Sequence, residues 1–180
     1  VAFGPGIKED EESMKLLEEI IIDSPSSIII DAGGINLLSK NKKCLCSVKD
    51  KVILTPHPGE MARLIGKDIS YVEKNRIECS RAFAKQYKCI VLLKGYNTVI
   101  TDGKNVFINK TGNSKMASGG MGDTLTGIIT ALVAQGYSNM DATLLGAYIH
   151  GLAAEYSARD RYSIIARDLI ESIPFVMGTL

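Results

Sequence analysis

SIIIDAGGINLL, residues 27–38, sets three isoleucines before an acid and two glycines before the next apolar group. Ser27–Asp31 has the length and β-branching of a buried strand whose last residue is a carboxylate. A short helix is expected to start at Asn36–Leu38. One strand, one turn and one helix make half of a parallel crossover, so the fold depends on whether the pattern repeats.

It does. Val1–Phe3 runs into Gly4-Pro5-Gly6, Val52–Thr55 into Pro56-His57-Pro58-Gly59, and Cys89–Lys94 into Gly95. Between them, Met14, Leu17, Ile20 and Ile21 recur at helical spacing from Asp10 to Ile22. Pro58 suits the first turn of a helix over Glu60–Ile65, which Gly66 closes. Ser70-Tyr71-Val72-Glu73 fits a capping box that opens one long helix to Tyr87. Thr98–Thr101 and Val106–Asn109 flank Asp102-Gly103, a hairpin signal. Further helices are expected at Asp123–Ala134, Met140–Ala158 and Ala166–Ile173. The alternation predicts an α/β fold, a mostly parallel sheet covered by helices, with antiparallel strands added at one side. Ligands of such sheets lie beyond the carboxyl ends of the strands. Those ends, with the loop Asn113–Asp123, are expected to converge on one rim.

The bulk numbers exclude several classes. A chain of 180 residues fits one domain, 1–180. With 21 Lys+Arg against 20 Asp+Glu there is no nucleic-acid footprint and no polybasic membrane patch. Apolar runs such as GIITALVA fall far short of the roughly 20 residues that span a bilayer. The start, VAFGPG, carries no basic n-region, so a cytoplasmic location is expected. It also opens abruptly on a strand, as a piece of a longer sequence would. Of four cysteines only Cys44 and Cys46 are close, and no metal-type Cys/His cluster accompanies them. No side chain is assigned as a metal ligand.

The chemistry concentrates in SGGMGDTLTG, residues 118–127. Gly119, Gly120 and Gly122 let backbone amides approach a ligand, and the helix that follows offers N–H groups without internal partners. That is an anion site suited to phosphate, and it is not a Walker loop. Asp123 is a poor phosphate ligand, since like charges repel, but a suitable base for a hydroxyl attacking a phosphoryl group. A plain helix-capping role explains it equally well. His57, held between two prolines at a strand end, reads as a substrate contact; His150, mid-helix, reads as structural. Glu60 and Arg63 read as the solvated face of their helix. Lys94-Gly95-Tyr96-Asn97-Thr98 follows a buried strand and offers a cation and an open backbone to a nucleotide.

Taken together, GPG at Gly4–Gly6, IIIDAGGINLL at Ile28–Leu38, ILTPHPGEMARLIG at Ile53–Gly66, VLLKGYNTVI at Val91–Ile100 and GNSKMASGGMGDTLTGII at Gly112–Ile129 closely resemble the ADP/ATP-dependent NAD(P)H-hydrate dehydratases, of the ribokinase-like superfamily. The resemblance implies a three-layer α/β/α fold lacking the N-terminal portion of the family domain. It implies repair of the S-form of hydrated NADH or NADPH at the expense of ADP or ATP, with Mg²⁺ accompanying the nucleotide. Asp123 would be catalytic; Gly6, Asn36, His57 and Asp123 would contact the hydrated substrate. Lys94, Gly95, Tyr96, Asn97, Thr98, Gly119, Gly120 and Gly122 would bind the nucleotide. The chain differs from the family pattern at Gly33, where Asp is usual, at Asn113-Ser114-Lys115-Met116, where Asn-Pro-Gly-Met is usual, and at Met121, where Thr is usual. A homo-oligomer is expected. Two other readings stay open: a small-molecule kinase of the same superfamily, and a nucleotide-binding module without turnover.

Overall fold

The computed structural model describes residues 1–47 and 51–179. They form two compact units, Val1–Ile108 and Asn109–Leu180.

The first unit is built on a six-stranded sheet in the order β1 (Ala2–Phe3), β2 (Ile28–Ile30), β3 (Val52–Leu54), β4 (Ile90–Leu93), β5 (Thr98–Thr101) and β6 (Val106–Asn109). The first four strands are parallel and β5 pairs antiparallel with β4. Ile28, Ile29 and Ile30 lie opposite Val52, Ile53 and Leu54. Strands laid side by side in chain order, joined by right-handed crossovers, send their helices to one face. The core on that face bears this out. Leu17 and Ile21 of α1 (Glu11–Asp23), Ile35 and Leu38 of α2 (Ala32–Lys40) and Met61 of α3 (Pro58–Ile65) pack with Ile28, Ile30, Val52 and Leu54. The alternate residues Ile29, Ile53 and Leu92 are also fully buried, which is why these strands read as unbroken apolar runs.

Local chemistry sets the helix ends. Asp10 caps α1 by accepting from the Ser13 amide, and Pro58 and Gly66 bound α3, Gly66 in the left-handed region at φ 66°. Two elements differ from the sequence reading. Helix α2 starts at Ala32, four residues early, because Gly33 and Gly34 permit it. A Cβ on Gly34 would come within 2.8 Å of Ile30 Cγ2 and 3.0 Å of the Phe3 carbonyl oxygen. The expected long helix to Tyr87 is two: α4 (Ile69–Lys74) and α5 (Arg76–Tyr87), broken at Asn75 (φ −127°, ψ 37°). The cap of α4 is Asp68, whose carboxylate accepts from the Tyr71 amide at 2.6 Å, not Ser70.

The second unit is helical: a 3-10 turn (Ser114–Met116), then α6 (Met121–Ala134), α7 (Asn139–Ser157) and α8 (Ala166–Met177). Small residues bring α6 and α7 close, since a Cβ on Gly146 would lie 2.7 Å from Ile129 Cγ1. Met121, Ala153, Ala154, Ile164 and Leu169 form one buried cluster, and Leu132, Ala142 and Ile149 another.

Candidate functional site

In the first unit the carboxyl ends of β2, β3 and β4 are joined by a chain of charged and polar groups. Lys94 reaches from the end of β4 to Asp31 at the end of β2, Nζ to Oδ1 2.7 Å, and lies 3.8 Å from Glu60 Oε2. Asp31 is 1% exposed and Glu60 4%. Ions this deep persist only when paired, so Lys94 is committed to neutralising its own carboxylates.

Glu60 is the residue the sequence reading missed. It is not on a solvated face. Its Oε2 accepts from the His57 amide at 2.7 Å and its Oε1 lies 3.4 Å from His57 Nε2. His57 in turn caps α3: its Nδ1 accepts from the amides of Gly59 and Glu60 at 3.0 and 3.3 Å. The pair is a capping box with histidine in the place of serine; the signal was the three-residue spacing from His57 to Glu60. A ring nitrogen that accepts two amide hydrogens carries no proton, so the neutral ring is protonated at Nε2. Burial pushes the imidazole below its ordinary value; Glu60 opposes this, while Lys94 and Arg63 reinforce it.

Asn36 stands on α2, donating to Glu9 and accepting from Arg63 Nε at 2.9 Å. Gly6, after β1, has φ 71°, and a Cβ there would meet open space. The turn after β4 is shaped by Gly95 (φ 129°) and Asn97 (φ 52°) and closed by Thr98 Oγ1 donating to the Gly95 carbonyl. Tyr96 at its tip is 91% exposed.

In the second unit, Gly119 and Gly120 are exposed ahead of α6, Gly120 at φ 82°, and a Cβ on Gly119 would touch nothing. The first amides of α6 have no acceptor in the helix. Asp123 is exposed in its first turn, and Thr124 returns a hydroxyl hydrogen bond to the Gly120 carbonyl at 2.9 Å. Beneath the loop, buried His150 bonds the Met121 carbonyl at 3.0 Å, which makes it the structural residue the sequence implied. A groove of about 550 Å³ runs from Asp123 and Thr124 past Gly127 and Ile128 to Ile170 and Ile173. The arrangement offers bare amides for an anion, an exposed carboxylate as base, and an apolar wall.

The family model described as NAD(P)H-hydrate dehydratase matches residues 1–175. The chain belongs to that family. It is 39% identical over its whole length to the bifunctional NAD(P)H-hydrate repair enzyme of Moorella thermoacetica and spans 34% of that protein. It also superposes on the crystal structure of the ADP/ATP-dependent NAD(P)H-hydrate dehydratase of Bacillus subtilis co-crystallised with ATP/Mg²⁺, with a TM-score of 0.86 at 31% identity; 99% of this chain and 63% of that one are covered. A ribokinase-like superfamily protein of Enterococcus faecalis gives a TM-score of 0.88 at 27% identity, covering 99% and 62%. The fold is therefore ribokinase-like, and the chain spans about a third to two thirds of the length of these relatives.

The departures from the dehydratase pattern have local causes. At Gly33 a Cβ would lie 2.9 Å from the Ile7 carbonyl oxygen and 3.2 Å from that of Gly4, so the loop after β1 leaves little room for a larger residue. Met121 turns away from the glycine loop into the helical core, 7% exposed beside Ala153 and Ile164. Lys115 donates to the Ala158 carbonyl at the C-cap of α7, 2.9 Å, where a cation suits the helix dipole.

Proposed function

We propose that the chain carries the dehydratase activity of a cofactor-repair enzyme, converting the S-form of hydrated NADH or NADPH to the normal dinucleotide at the expense of ADP or ATP. The observation that carries this reading is Asp123, an exposed carboxylate in the first turn of a helix opened by bare glycine amides, in a member of this family. Asp123 takes the proton of the C6 hydroxyl, and the freed oxygen attacks the terminal phosphoryl group of the nucleotide, breaking its bridging P–O bond and releasing AMP from ADP or ADP from ATP. The amides of Gly119, Gly120 and Gly122 offset the charge that gathers on the phosphoryl oxygens. Phosphate, unlike hydroxide, is a good leaving group; the ring nitrogen lone pair expels it, and loss of the C5 proton restores the dihydropyridine.

In this reading Lys94, Gly95, Tyr96, Asn97 and Thr98 hold the nucleotide, and Gly6, Asn36 and His57 hold the hydrate. The protein works in the cytoplasm as a homo-oligomer. Among the described residues no helix is long and apolar enough to cross a membrane. Mg²⁺ binds through phosphates and one or two carboxylates while keeping several waters. In this reading the ion arrives with the nucleotide and is held by its phosphates, because the rim carboxylates Asp31 and Glu60 are buried and already paired with Lys94. Bound with the nucleotide, it would screen the phosphate charge.

Incubation with hydrated NADH and either ADP or ATP tests the proposal. Return of nicotinamide absorbance with release of phosphate supports it. A stable phosphorylated product instead indicates a kinase, and nucleotide binding without turnover indicates an inert module.

A further inference from the structure

Arg76 opens α5, far in sequence from every glycine loop, yet its guanidinium reaches the turn that follows β4. Nη2 donates to the carbonyl oxygens of both Leu93 and Lys94, each at 3.1 Å. Nη1 meets Glu73, 3.2 Å away, but that carboxylate is half exposed while the Arg76 side chain is only 15% exposed. Arg76 Nε is buried and has no hydrogen-bond partner among the described residues. Gly95 lies at the edge of the guanidinium: a Cβ there would stand 3.1 Å from Nη1 and 3.2 Å from Nη2, on a backbone at φ 129° that side chains rarely adopt. Two carbonyls accept from one arm of a planar fork whose other arm reaches Glu73, and with Gly95 at its edge these contacts hold the turn in position. A lysine cannot reproduce that fork. The charges divide accordingly. Lys94 is bound to Asp31 and approached by Glu60, so the cation under the turn with the weakest counter-charge is Arg76.

We propose that Arg76 is the positioning residue of the nucleotide turn Lys94–Thr98, holding its backbone in the shape that accepts an anionic nucleotide and lending positive potential from beneath. The inference rests on the reading of that turn as the nucleotide site. Calorimetry with ADP on the full chain and on Arg76→Lys, Arg76→Gln and Gly95→Ala tests it, beside steady-state kinetics with hydrated NADH. All three variants are expected to bind ADP at least ten-fold more weakly. The KM for ADP should rise with that for hydrated NADH unchanged, whereas a general loosening of the site would raise both equally. Folded Arg76→Lys that binds ADP within two-fold of the parent overturns the inference, as does an equal rise in both KM values. Should Arg76→Gln fail to fold, Arg76→Lys and Gly95→Ala decide by the same criteria. A parent chain that binds ADP without dehydrating anything removes the proposed reaction but leaves Arg76 to be judged by the binding data alone. A parent chain that binds no ADP overturns both.

Discussion

Lys94 Nζ lies 2.7 Å from Asp31 Oδ1, bridging two strand ends that are 63 residues apart in sequence. The carboxylate is buried, so the pair cannot be opened from one side without leaving an uncompensated ion. Breaking such a pair costs about 3–5 kcal/mol, whereas removing both charges is often nearly neutral. Lys94→Met is therefore expected to lower the unfolding free energy by about 3 kcal/mol, the low end because Lys94 is partly exposed. The double variant Asp31→Asn/Lys94→Met should recover much of that loss in urea denaturation. If the loss in the double variant equalled the sum of the losses in Asp31→Asn and Lys94→Met measured singly, the pair would carry no coupling.

Asp123 presents the opposite case, an ion whose removal the fold should tolerate. It is exposed at the third position of α6, whose N-cap is Gly120, so Asn there forgoes only a solvent-screened contact with the helix dipole. Asp123→Asn is expected to keep its denaturation midpoint while turnover of hydrated NADH falls about a hundred- to ten-thousandfold, the usual loss for a general base. Near-normal turnover by this folded variant would remove Asp123 from the chemistry.

The strands were legible because burial on both faces writes them as short apolar runs, and the hairpin at Asp102-Gly103 because its turn residues allow few alternatives. Pro58 and Gly66 gave the ends of α3 for equally local reasons. Asn75 shows where local reasoning stops. At the break between α4 and α5 the Asn75 side chain donates to the Tyr71 carbonyl, and the next residue, Arg76, reaches the carbonyls of Leu93 and Lys94, a tertiary contact that helical periodicity does not reveal. Glu60 failed differently: a carboxylate two positions into a helix reads as solvated unless histidine is recognised as a cap. The glycine loop and Asp123 were legible because open amides require glycine, which leaves a compositional mark.

His57 links stability to pH. Its folded value is lowered from 6.5, chiefly by burial, with Lys94 and Arg63 reinforcing and Glu60 and Asp31 opposing. Between that lowered value and 6.5 the unfolded chain binds a proton that the folded chain does not, so stability falls as pH drops below 6.5. His57→Asn keeps an oxygen to cap α3 while deleting the titration. Denaturation of both proteins between about pH 8 and pH 5 should show a shallower acid loss in the variant. Its affinity for hydrated NADH should fall as well, since no Nε2 hydrogen remains to donate. Identical pH dependence in the two proteins would show that His57 titrates alike in both states.

The cysteines make a last prediction that is independent of function. Burial raises the Cys44 thiol to about 11, and its Sγ donates to the Asn41 carbonyl at 3.1 Å. Cys79 and Cys89 are buried, and burial raises Cys79 as well. Cys46 is exposed. Alkylation proceeds through the thiolate and requires access, so iodoacetamide at neutral pH should label Cys46 first and alone, as read by peptide mass spectrometry. The other three should react only after urea unfolds the chain. Cys79 and Cys89 lie in α5 and just ahead of β4, elements held by the Arg76 fork, so labelling of either in the native protein would reveal local opening there. Arg76→Lys should speed that labelling without altering the rate at Cys46, because the loss of one fork loosens the β4 end and leaves the 3-10 helix Lys42–Ser47, which carries Cys46, untouched.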